Sequence, residues 1–167
     1  MTSPSVLVAY GTKNGSTAGI ADIVATTLRA QGVAVEVREA RLVRDVRPYT
    51  AVVLGGALYS GRWHRDARRL ARRHADQLRT RDVWLFSSGP LNTSADESEI
   101  APVAQVADIS RRVDAHGHHT FGGRLAPDAR GMTARAMVRN GRAGDFRNPD
   151  RIRAWAERIA AEVMAAR

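Results

Sequence analysis

Residues 11–17 combine glycines with short hydroxyl side chains, and they follow an apolar run at residues 6–9. Glycine allows a ligand to approach the backbone closely, and the N–H groups that open a helix have no acceptor inside it. The helix dipole adds about half a positive charge at that end. Thr12, Ser16 and Thr17 contribute three hydroxyl donors. We therefore predict that this strand, loop and helix bind one phosphate group.

The loop differs from the two best-known phosphate motifs. The triphosphate-binding loop requires Gly-x-x-x-x-Gly-Lys-Ser/Thr, and Ser16 stands at the lysine position. The dinucleotide motif requires Gly-x-Gly-x-x-Gly, and Lys13 stands at its second glycine. Neither motif is present.

Residues 8–24 match the flavodoxin signature. An aliphatic residue is followed at the family's spacing by Tyr10, Thr12, Gly15, Thr17, Ala21 and Val24, and the position before Tyr10 is the smaller Ala9. The chain thus resembles the flavodoxins, which implies that the phosphate belongs to FMN. A deazaflavin with a phosphate tail and an ordinary strand-turn-helix remain alternatives. The resemblance implies cofactor contacts from Thr12, Lys13, Asn14, Gly15, Ser16 and Thr17.

Length and composition limit the possible chemistry. A chain of 167 residues predicts one domain over residues 1–167. The absence of cysteine excludes disulfides, iron–sulfur clusters and cysteine-ligated zinc. His116, His118 and His119 have no carboxylate or cysteine to complete a ligand set, so we predict a surface turn there and no metal site.

The net charge of +9 is almost entirely arginine, with Lys13 as the single lysine. Arginine content alone does not establish nucleic-acid binding, and no nucleic-acid partner is predicted. No apolar run approaches the roughly 20 residues that cross a bilayer. The sequence therefore predicts a cytoplasmic protein, with peripheral contact at the inner membrane face as the alternative.

Apolar patterns predict alternating strands and helices. Strands are expected at residues 5–11, 33–37, 51–55, 83–86 and near 119–122, and helices at 64–78, 102–115 and two further positions. One of these two helices ends at Gly32, and the other begins at Pro149 after Asn148 as its cap. This order predicts an α/β fold, a doubly wound parallel sheet with helices on both faces. The resemblance to flavodoxins implies five strands in the order 2-1-3-4-5.

In such a sheet, ligands bind beyond the carboxyl ends of the strands where the strand order reverses. The loops after strands three and four occur where flavodoxins have their ring-binding loops. Tyr59 and Trp63 are candidates to stack on the flavin, with packing against the next helix as the alternative for Trp63. The predicted ring contacts are Ala57, Leu58, Tyr59, Ser60, Gly61, Trp63, Ser87, Ser88, Gly89, Pro90, Leu91 and Asn92.

Residues 52–78 contain Val-Val-Leu-Gly at 52–55, a Gly-x-aromatic-His pattern at 61–64 and then a basic helix. In this pattern they resemble the bacterial quinone-dependent protoporphyrinogen oxidases, which are flavodoxin-like enzymes. The resemblance extends to a basic insertion at residues 125–147, before the last helix. It implies a quinone as acceptor, and an acidic partner or an anionic membrane surface for the arginine-rich helices, with a solvated outer face as the alternative.

We therefore predict an FMN-binding protein that transfers electrons with a redox partner protein or a quinone. The alternatives are an oxidase of the kind just named, with unassigned catalytic residues, and a flavin-free module that binds acidic partners.

Overall fold

The computed structural model describes residues 3–166, which form an α/β fold of alternating strands and helices. The strands are β1 (Ser5–Gly11), β2 (Ala34–Glu39), β3 (Ala51–Tyr59), β4 (Arg62–Trp63), β5 (Asp82–Ser88), β6 (Gly117–Phe121), β7 (Arg124–Leu125) and β8 (Gly144–Asp145). The helices are α1 (Ser16–Ala30), α2 (Arg65–Arg73), α3 (Ala75–Leu78), α4 (Ser94–Glu97), α5 (Ala104–Val113), α6 (Met132–Arg139) and α7 (Pro149–Ala165), with a 3-10 turn at Ala40–Leu42.

The central sheet contains five parallel strands in the order β2-β1-β3-β5-β6. The two-residue β4 pairs antiparallel with the end of β3, so the order of the five main strands is the predicted 2-1-3-4-5. In β1, Val8 lies opposite Val37 on one side and Val53 on the other. The predicted fold class is confirmed.

Apolar side chains bury both faces of this sheet, as parallel sheets require. On one face, α1 and α7 pack through residues such as Ile20, Val24 and Ile159. On the other face, α2, α3 and α5 pack through residues such as Leu70 and Ile109. Among residues 3–166, no helix combines the length and apolar character needed to cross a membrane.

Strand β3 continues four residues beyond the predicted end at Gly55. Glycine is uncommon in strands, so Gly55 and Gly56 indicated a loop. In the structure, these glycines lie in the strand, and neighbouring aromatic rings occupy the space that their side chains would fill. A Cβ on Gly55 would overlap the Phe86 ring, and one on Gly56 would lie 2.6 Å from the Trp63 indole nitrogen. Ala57, Leu58 and Tyr59 are therefore strand residues rather than loop residues.

Several helix bounds also differ from the prediction. The helix expected at 64–78 is interrupted at His74, whose angles of φ −111° and ψ 20° depart from helical values. The helix expected from Pro102 begins at Ala104, because Val103 is extended and forms the N-cap. The start of α7 is as predicted, and the Asn148 side chain accepts the Arg151 N–H at 3.3 Å.

Candidate functional site

The loop at residues 12–15 joins the carboxyl end of β1 to α1. Gly15 has φ +86° and forms the N-cap, a conformation that side chains other than glycine rarely adopt. The Thr12 hydroxyl oxygen accepts the Gly15 N–H at 3.0 Å and holds the loop in a curled shape. The N–H groups that follow open α1 without an intrahelical acceptor. We call residues 12–17 the cradle.

The electrostatics of the cradle favour an anion. The first turn of α1 contains no acidic residue, so no side chain of that turn compensates the positive end of the helix dipole. Lys13 adds a full positive charge to the loop.

Thr17 is the most informative residue of the cradle. It is 0% exposed, and its buried hydroxyl oxygen has no hydrogen-bond partner within residues 3–166. A buried polar atom without a partner costs about 1–3 kcal/mol. Neighbouring Ser16 differs, because its hydroxyl oxygen accepts the Arg124 N–H at 2.9 Å and lies 3.3 Å from that of Ser88. The Thr17 hydroxyl is therefore an unused hydrogen-bonding group at the start of α1.

Tyr59 reaches the cradle from the end of β3. Its hydroxyl oxygen accepts the Lys13 N–H at 2.9 Å, and its ring lies edge to face with His64 at 6.2 Å between centroids. Burial raises the pKa of the Tyr59 phenol, and the hydrogen bond from Lys13 opposes that rise. The side chain remains among the few large apolar groups at the surface, with 37% exposure.

The two predicted ring loops meet beside the cradle. A Cβ on Gly89 would lie 2.9 Å from the Leu58 side chain, so the segments after β3 and β5 are in contact. Ser87 and Ser88 are buried within the end of β5. Pro90 accepts the Gly123 N–H at 2.9 Å through its carbonyl, and the Asn92 side chain accepts the Ser94 N–H at 2.9 Å. The structure thus brings residues 12–17, 57–61 and 87–92 together at the carboxyl ends of β1, β3 and β5.

Trp63 lies in the core and does not line this site. It is 1% exposed, and its indole nitrogen donates to the Phe86 carbonyl at 3.3 Å. The hypothesis that Trp63 stacks on a flat ring is wrong, and the packing alternative describes it. Tyr59 is the aromatic residue of this hairpin that remains accessible.

The comparisons with known proteins agree with this arrangement. A family model described as a flavodoxin domain matches residues 7–148, which include the cradle and both ring loops. The chain belongs to the flavodoxin-domain family. A flavin is the cofactor that this membership implies, and the buried Thr17 hydroxyl and the acid-free first turn of α1 fit its phosphate end.

Solved structures show the same fold at low sequence identity. A flavodoxin of Streptococcus pneumonia TIGR4 is 18% identical with a TM-score of 0.63, over 99% of this chain and 100% of that chain. An archaeal flavodoxin is 13% identical with a TM-score of 0.59, over 96% and 99%. The rubredoxin oxygen:oxidoreductase of Desulfovibrio gigas is 12% identical with a TM-score of 0.64, over 98% of this chain and 37% of that longer chain. No curated protein matches this sequence.

A fourth segment of this flavodoxin domain contacts the cradle and was missed from the sequence. The Arg124 N–H reaches Ser16, and the Arg130 N–H donates to the Asn14 side chain at 3.2 Å. A Cβ on Gly131 would lie 2.7 Å from the Lys13 ammonium. The available signal was the Gly-Gly pair at residues 122–123, directly after a strand. Glycine at that place indicates a close approach of the backbone, here to the Phe146 carbonyl.

Of the three histidines predicted in a surface turn, His116 lies in a bend before β6 with its side chain 43% exposed, and the other two lie in a strand. His118 and His119 belong to β6, and the His118 Nε2 atom lies 2.9 Å from the Ser87 hydroxyl. Burial, with a smaller contribution from His119, lowers the pKa of His118 to about 4. Among residues 3–166, no cluster of three or more histidines and carboxylates has the arrangement of a metal site.

Proposed function

We propose that this protein binds FMN and transfers electrons through it. The observation that carries the proposal is the buried hydroxyl of Thr17, which has no protein partner at the positive end of α1. The cradle would hold the phosphate, with donors from its backbone and from Thr12 and Thr17. Residues 57–61 and 87–92 would lie on either side of the ring and exclude water from it. The flavin supplies one- and two-electron chemistry when bound.

The binding test uses the purified protein and three ligands. FMN is expected to bind with one-to-one stoichiometry, and binding to the protein is expected to quench the FMN fluorescence. Riboflavin is expected to bind far more weakly because it lacks the phosphate. A phosphate-bearing deazaflavin is titrated in parallel, because the cradle recognises a phosphate and not the atoms of the ring. Colourless protein that leaves FMN fluorescence unchanged would contradict the proposal and favour the flavin-free alternative.

We further propose an acidic protein as the redox partner. Five exposed arginines belong to the two segments that contact the cradle, and no side chain in residues 3–166 pairs with them. We call them the cradle-side arginines: Arg62, Arg130, Arg135, Arg139 and Arg142. Such unpaired charge steers an oppositely charged surface and sets its orientation.

An anionic membrane fits the same arginines less well. Helix α6 buries none of its residues, and Met132, with 87% exposure, is its one exposed large apolar side chain. Helices that lie in a membrane interface present a broad apolar face. Because α6 has exposed arginines but no broad apolar face, it fits an acidic protein surface better than a membrane.

The partner test measures the rate of electron transfer from the reduced, FMN-loaded protein to an acidic acceptor protein at several salt concentrations. The rate is expected to fall with salt and to fall at least tenfold in the Arg135→Glu, Arg139→Glu variant. The matched control reverses Arg111 and Arg112 at the end of α5, next to the amino end of β6, whereas the cradle lies at the carboxyl ends of the strands. Equal rates in both variants would contradict the proposal, and binding to anionic vesicles alone would favour a membrane.

A second candidate is an oxidase that uses a quinone, as the resemblance to protoporphyrinogen oxidases implies. The hydrogen bond from the Arg130 N–H to Asn14 supports it, because this bond sets the basic insertion beside the cradle. Turnover of protoporphyrinogen with menadione in the absence of oxygen tests this candidate, and an electron carrier would show none.

A further inference from the structure

The Tyr59 hydroxyl uses a donor that belongs to the cradle. Its oxygen accepts the Lys13 N–H at 2.9 Å, in the loop between β1 and α1. The Thr12 side chain and the Asn14 backbone also oppose the rise that burial causes in the pKa of this phenol. An oxygen that belongs to the protein itself therefore occupies a donor of the cradle.

Few other contacts hold this hydroxyl in place. Tyr59 ends β3 and lies opposite Arg62 in the short hairpin with β4. The hairpin turn has positive φ at Ser60 (50°) and Gly61 (74°), as in tight two-residue turns. Apart from its chain neighbours, no described residue has an atom within 4 Å of a Cβ built on Gly61, so the turn has open space on that side. The tyrosine can leave the cradle without disturbing the buried part of β3.

We propose that Tyr59 is an internal ligand of the phosphate cradle, which the phosphate of FMN must displace. This inference rests on the proposed function. One N–H cannot donate fully to two acceptors, so the phenol oxygen and a phosphate oxygen compete for Lys13. Hydrogen bonds to an ionised acceptor are about twice as strong as those between neutral groups, so the phosphate wins. Its binding releases the Tyr59 ring beside the predicted ring site.

The test compares the wild-type protein with the Tyr59→Phe variant. The variant lacks the competing oxygen, so FMN is expected to bind roughly 3- to 10-fold tighter, the net value of one neutral hydrogen bond. Inorganic phosphate, measured by competition with FMN and by its effect on the unfolding midpoint, is expected to tighten by the same factor. Riboflavin affinity is expected to stay constant, because riboflavin carries no phosphate.

The matched control is Tyr49→Phe, which removes a hydroxyl that donates to Glu36 at 2.6 Å. It is expected to leave the affinities for FMN and phosphate unchanged. Equal or weaker binding of FMN and phosphate to Tyr59→Phe would overturn the inference, since weaker binding would mean that the hydroxyl donates to the phosphate. Failure of both proteins to bind FMN would overturn the proposed function, and tighter binding of inorganic phosphate to the variant would then still support displacement.

Discussion

The Thr17→Val substitution is expected to stabilise the flavin-free protein and to weaken FMN binding. Valine has the shape of threonine without the hydroxyl, and that hydroxyl is buried and unpartnered. Removing it relieves a cost of about 1–3 kcal/mol. In a domain of this size, each kcal/mol corresponds to a shift of about 2–4 °C in Tm. We therefore expect the Tm without FMN to rise by about 2–12 °C.

The same substitution removes a donor from the site of a charged phosphate. A hydrogen bond to a charged group contributes about 1.5–3 kcal/mol, so the Kd for FMN is expected to rise by roughly 10- to 150-fold. Urea unfolding without FMN measures the first effect, and titration of flavin fluorescence measures the second. The opposite signs distinguish a binding residue from a purely structural one.

Thr27 provides the control within the same helix. It is buried like Thr17, but its hydroxyl donates to the Ile23 carbonyl at 2.8 Å. Thr27→Val is therefore expected to destabilise the protein by about 0.5–1.5 kcal/mol and to leave the Kd for FMN unchanged. If Thr17→Val behaved in this way as well, the assignment of Thr17 to the phosphate would be refuted.

Two further predictions concern the sheet. Burial holds the pKa of His118 at about 4, below the ordinary 6.5 of the unfolded chain, so its contribution to stability is complete above pH 6.5 and is lost as the pH falls towards 4. The expected loss of stability over this range is about 3 kcal/mol. His118→Gln is expected to remove this loss, as measured by the free energies of unfolding of variant and wild type between pH 6.5 and 4. Parallel pH profiles for the two proteins would contradict the assignment. Gly55→Ala is expected to cost about 1–3 kcal/mol, because the new Cβ overlaps the Phe86 ring. Gly117→Ala is its control, since a Cβ there makes an ordinary contact of 3.8 Å with Trp84, and equal unfolding midpoints would argue against the packing of Gly55.

The cradle and the strand order were predictable because their signals are local or belong to a family pattern. The strand, the loop and the helix at residues 5–30 are contiguous, and each has its own sequence signal. For the fourth segment, the Gly-Gly pair at residues 122–123 indicates a close approach of the backbone but does not say to which part of the chain. The bond from Arg124 to Ser16 spans 108 positions, and that from Arg130 to Asn14 spans 116. Backbone donors form both bonds, so the side-chain types at 124 and 130 carry no information about them.

The role of Trp63 illustrates a second limit. In the sequence, Trp63 follows the Gly55-Gly56 pair within one segment, and an aromatic residue there suits a ring site and a packed core equally well. Whether Trp63 lines a ring site or packs in the core depends on the side of the β3–β4 hairpin to which its side chain points. The pairing of Leu58 with Trp63 determines that side. Predicting the hairpin required recognising that Gly55 and Gly56 are strand residues.

The pairing of β7 with β8 brings the two ends of the basic segment side by side, with Arg124 opposite Asp145 and Leu125 opposite Gly144. Between these ends, α6 buries no residue. Changes in the length of a surface loop with fixed ends cost little, about 0.6 kcal/mol for each doubling. Residues 132–143, which follow the cradle contacts of Arg130 and Gly131, are therefore free to vary in length and charge while the sheet stays constant. A single cofactor-binding domain of this kind can be adapted to different partners by changes in this one surface segment.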